Sequence, residues 1–97
     1  MAIIPYGNST LTNTYYATVG TSWTLNSAGY YTQTVSVAGI TSSDEPVIDV
    51  VTSLSGYIDE LTAWNSIFKV ITNNGSITLY ASEATTTEID LQLKVVR

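Results

Sequence analysis

Read for alternation, the chain is a series of short strands with one interruption. The last run is the most regular. Ile89, Leu91, Leu93 and Val95 share one parity, while Glu88, Asp90, Gln92 and Lys94 share the other. That is the period-two pattern of a strand with one buried face. Its position, edge or centre of a sheet, is left open by the pattern. Tyr30 to Ala38 reads the same way, with Tyr31, Gln33, Val35 and Val37 opposite Tyr30, Thr32, Thr34 and Ser36. Tyr15 to Val19 places Tyr15, Ala17 and Val19 on one face. Trp23 and Leu25 share a face of a shorter strand. Val47 to Thr52 sets Asp49 against Ile48 and Val50, and Ile77, Leu79 and Ala81 alternate with Ser76, Thr78 and Tyr80. Gly20, Asn26 to Gly29, Gly39 and the polar Thr41 to Pro46 punctuate these runs as turns.

The interruption lies in Glu60 to Ala81. Ile58, Leu61, Trp64 and Phe68 recur three and four apart, which predicts a helix over about residues 56–71. Ser55 suits the N-cap, and Asp59 and Glu60 suit the positive end of the helix dipole. Lys69 suits its negative end, and Asn73-Asn74-Gly75 reads as the stop. β-Branched Val70 and Ile71 weaken the last turn.

These elements predict a mainly β, α+β fold: a small antiparallel sandwich, or a sheet covered by one helix. Residues 1–14 read as a polar N-terminal arm, and 15–97 as one domain. The expected core comprises Trp23, Tyr31, Leu61, Trp64, Phe68, Ile77, Leu79, Ile89, Leu91, Leu93 and Val95.

Composition narrows the function. The chain of 97 residues has no cysteine and no histidine, so disulfides, thiolate metal sites and the usual nucleophile–histidine pairs are absent. Charged residues make up only 11%, and 16 Thr, 11 Ser and 6 Asn carry the polarity instead. Net charge is −5, with three scattered cations, Lys69, Lys94 and Arg97. They cannot form the basic patch that nucleic acid requires. No apolar run reaches the length of a membrane-spanning helix. Lacking a basic n-region, the first residues do not read as a signal peptide, and the mature chain is expected to start near Met1. The sequons at Asn8 and Asn74 are expected to be unused.

The carboxylates also have structural readings. Asp44 and Glu45 precede Pro46 in a turn, and Asp59 and Glu60 open the helix. Neither a paired-carboxylate hydrolase nor a calcium loop is expected, and no cofactor motif is present. Six of ten aromatics fall within the first 31 residues. Of these, Tyr6, Tyr15, Tyr16 and Tyr30 are the candidate interface residues, because exposed aromatic rings grip sugars or partner proteins.

The segments Trp23, Tyr30 to Val37, Gly39-Ile40-Thr41, Asp44 to Val50, Trp64 with Ile67, Gly75 to Ala81 and Leu93 to Arg97 carry a resemblance. In their order and spacing the sequence resembles a module of structural proteins from tailed bacteriophages and prophages of Gram-positive hosts. There it often closes head-fibre, tail-fibre or other accessory virion proteins. The likeness spans about three quarters of the chain and rests on packing motifs and turns. It implies a non-enzymatic virion component, assembled in the host cytoplasm, that contacts other virion proteins and itself. Because the module stands almost alone here, a small decoration, head-fibre or tail-attached protein fits better than a complete fibre. The polar arm is the expected docking element. The competing expectation is a carbohydrate-binding module that grips host glycan with the N-terminal Tyr/Trp cluster.

Overall fold

The computed structural model describes residues 12–96. The order is β1 (Thr12–Val19), β2 (Thr24–Leu25), β3 (Tyr31–Ser36), β4 (Val47–Val51), α1 (Tyr57–Ser66), β5 (Ile67–Asn73), β6 (Ser76–Ala81) and β7 (Ile89–Val96). The strands form two antiparallel sheets, β1-β7-β4 and β2-β3-β6-β5. The unit is therefore small and mostly β, with one helix. β1 takes in Thr12 to Thr14, residues that polarity alone assigns to the arm.

β7 lies between β1 and β4, the central place that its alternation left open. Ile89, Leu91, Leu93 and Val95 are all buried; all four pair with β1, and the middle two pair with β4 as well. Tyr15 and Ile48 flank Leu93, while Ala17 and Val50 flank Leu91. In the second sheet, Ile77, Leu79 and Ala81 of β6 face inward and Ser76, Thr78 and Tyr80 outward. One apolar cluster draws on both sheets, on Val37 and Ile40 of the β3–β4 connection, and on Ala63 of α1. Trp23 and Trp64 are half-buried against it. Tyr31, half-buried opposite Leu25 and Ala81, lies outside that cluster.

The segment after Gly56 departs most from the sequence expectation. α1 ends at Ser66, and the next residue, Ile67, is already extended at φ −85° and ψ 119°. Five of the six residues Ile67 to Thr72 are β-branched or aromatic, a composition that favours a pleated strand. Asn74-Gly75, expected to stop a helix, is instead the two-residue turn of the β5–β6 hairpin, with Asn73 opposite Ser76. Asn-Gly is the strongest short hairpin signal, and Gly75 has the positive φ of +84° such a turn needs. The turn is tied down from outside: Gly75 N–H donates to Ile40 C=O and Val37 N–H to Gly75 C=O, both at 2.9 Å.

Two residues expected in the core therefore lie at the surface. Phe68, now in β5, is 59% exposed, and Leu61 is 41% exposed. α1 rests on Ala63, and two residues along a helix is about 160° away around the axis. That geometry turns Leu61 outward. The helix start also differs. Gly56, not Ser55, holds the N-cap position, with no side-chain cap. Glu60 reaches back past the helix start instead, accepting Ser53 N–H at 2.7 Å and Ser53 Oγ–H at 3.1 Å, and Ser53 Oγ accepts Gly56 N–H.

Candidate interaction surfaces

The four candidate interface tyrosines do not form one patch. Tyr15 points inward and packs against the core; its ring lies so close to Gly39 that a Cβ there would sit 2.9 Å from it. Tyr16, its neighbour in β1, points the other way and is 68% exposed on the outer face of the three-stranded sheet. Tyr30 is half-buried and packs on rings belonging to the second sheet. Tyr6 lies outside the described residues. The fifth aromatic of that region, Trp23, packs against the core, and its Nε1 is buried with no hydrogen-bond partner. It is a packing element, not a polar handle.

The carboxylates likewise hold structure together. Asp44 is buried; its Oδ2 accepts Thr41 N–H at 2.8 Å, and its own N–H donates to Thr41 C=O. Thr72 Oγ1 donates to Asp44 C=O at 3.0 Å, binding this turn to β5. A shallow depression of about 680 Å³ beside the turn, between Ile48 of β4 and Val70 to Thr72 of β5, contains no nucleophile–base pair. Among the described residues, no group of three or more ligating side chains is placed to hold a metal.

Two apolar surfaces stand out instead. The first follows α1. Leu54 is fully exposed, Ile58 64%, Tyr57 and Leu61 nearly half. Helical spacing puts Tyr57, Ile58 and Leu61 on the side turned away from Ala63, and Leu54 lies in the turn that leads into the helix. Of the expected helical stripe, only Ile58 and Leu61 belong to this exposed face; Trp64 packs against the core and Phe68 lies in β5. The second lies on the outer face of the four-stranded sheet. There the rings of Tyr30, Phe68 and Tyr80 meet at centroid distances of 5.7, 5.6 and 6.4 Å, and Lys69 Nζ lies 5.3 Å from the centre of the Tyr80 ring. Sequence reasoning missed Tyr80 and misplaced Phe68. The signal available was the outward parity of Tyr30 and Tyr80 together with the Asn-Gly turn, which brings β5 beside β6.

No family model, curated protein or solved structure matches this chain.

Proposed function

We propose that the chain is a non-enzymatic accessory protein of a tailed-phage virion, of the head-decoration, head-fibre or tail-attached kind, acting through protein–protein contact. The two sheets are read as a small sandwich closed by α1 over their shared core. The observation that carries the reading is the exposed group Leu54, Tyr57, Ile58 and Leu61. Exposed apolar residues scattered singly need no explanation, but three on one side of a folded helix, with a fourth in the turn before it, suit a partner surface. The likeness of Trp23 to Arg97 to virion modules supplies the partner class: other virion proteins, and further copies of the chain. The Thr/Ser-rich remainder of the surface keeps the protein soluble before assembly.

The test mixes purified protein with undecorated capsids, with tails and with host cells. Binding to particles, lost in an Ile58→Ser/Leu61→Ser double variant of unchanged melting temperature, is the expected result. Binding to cells alone, competed by soluble glycan, overturns the reading.

A further inference from the structure

The aromatic group on the outer face of the four-stranded sheet owes its shape to a defect in β5. Ile67 is opposite Ala81 and Lys69 opposite Tyr80, so the register shifts by one residue between them and Phe68 is the extra one. In a regular strand, consecutive side chains leave on opposite faces. Here Phe68 and Lys69 both reach the Tyr80 ring. A bulge that re-aims a side chain is a built feature of sheets, common at sites of function. This one takes an aromatic residue out of reach of the core and holds it open to solvent, steadied edge-on by Tyr30 at an interplanar angle of 73°.

Besides Lys69, the polar groups near the rings are hydroxyls and an amide that hold one another in place. Thr78 lies two residues from Tyr80 on β6, about 6.6 Å along the strand, which is close to the span of one sugar ring. Its Oγ1 is 3.1 Å from Thr34 Oγ1 and accepts a bond from Asn73 Nδ2. Asn73 Nδ2 also donates to Ser76 Oγ, which fixes the amide and leaves Oδ1 as an acceptor.

We infer that this face is a binding site for a neutral saccharide, with Phe68 as the stacking ring and the Asn73–Thr78–Thr34 row hydrogen-bonding the hydroxyls of the adjoining unit. A sugar ring offers apolar C–H faces to an aromatic ring and hydroxyls at its rim, and this juxtaposition supplies both in the right order. The Asn73–Thr78–Thr34 row is uncharged and matches the hydroxyls of a neutral sugar, while Lys69 Nζ lies over the Tyr80 ring. The site is independent of the α1 surface and of the virion contact assigned to it.

The test is an amide-shift titration of the full chain with cellotriose, maltotriose and N-acetylchitotriose, each to about 10 mM, the upper range of weak site affinities. Saturable shifts centred on Phe68, Thr78 and Tyr80 with at least one trisaccharide are expected. Phe68→Ala should weaken that binding about tenfold or more, as loss of a stacking ring does, while Phe68→Trp retains it. Unchanged amide dispersion in both variants excludes unfolding. The inference is overturned if none of the three sugars shifts these residues. It is equally overturned if Phe68→Ala abolishes binding to virion particles, which would make the patch a protein contact.

Discussion

β7 and β5 are both long strands of one small unit, yet they do opposite things with their side chains. β7 is paired on both sides, is regular along its length, and sends four aliphatic residues into the core. β5 is paired on one side, is bulged at its start, and exposes Phe68 and Ile71. The bulge and Lys69 are also what an edge strand uses to discourage stray pairing. The difference separates two jobs: the sheet around β7 supplies cohesion, while the α1–β5 segment tolerates exposed apolar groups because little cohesion depends on them.

The sharpest way to break that division is to truncate β7. Leu91 is fully buried between Ala17 and Val50. Leu91→Ala should cost about 2–5 kcal/mol, the range for large-to-small changes in a packed core. Chemical denaturation measures it, and a loss below about 1 kcal/mol would mean the core is not organised around this strand.

A smaller effect is expected where the first sheet meets the β3–β4 connection. Gly39 has φ +95°, and an added Cβ would fall 2.9 Å from the Tyr15 ring. Gly39→Ala meets both left-handed backbone strain and a ring that must move, at a cost of about 1–3 kcal/mol. A paired Gly39→Ala/Tyr15→Leu variant sharpens the point. If the clash dominates, the second change recovers part of the loss; if backbone strain dominates, it adds to it.

This contrast also explains what the sequence made legible. β7 is decided by its own pattern: strict alternation of large aliphatics with polar residues has one low-energy arrangement, and Ile77, Leu79 and Ala81 of β6 follow the same logic. α1 and β5 are decided by competition. Ile58, Leu61, Trp64 and Phe68 fit a helical period, but Asn74-Gly75 lets Ile67 to Asn73 pair with Ser76 to Ala81, and long-range pairing overrides local periodicity. The segment splits at Ser66, where no Gly or Pro marks the change. The candidate surface depends on that split: Phe68 joins Tyr30 and Tyr80 only once β5 exists, so contacts 12 and 38 residues apart in the chain had no local signature. The N-terminal tyrosine cluster failed for the opposite reason. Tyr15 and Tyr16 are neighbours in sequence, and strand geometry sends neighbours to opposite faces.

The smallest predicted effect is the most discriminating, because it sets the same kind of truncation on the other strand. Phe68 is a larger residue than Leu91, so volume alone would make Phe68→Ala the costlier change. Burial argues the reverse. The side chain is mostly in water, and what it loses is edge contact with Tyr30 and Tyr80, in a region whose strand pairing rests on backbone bonds to β6. The expected loss is about 0.5 kcal/mol or less, near the limit for surface substitutions. Denaturation of Phe68→Ala beside Leu91→Ala under one set of conditions measures the pair. Similar losses in the two would place β5 within the cohesive core and remove the physical reason for treating its exposed ring as available to a ligand.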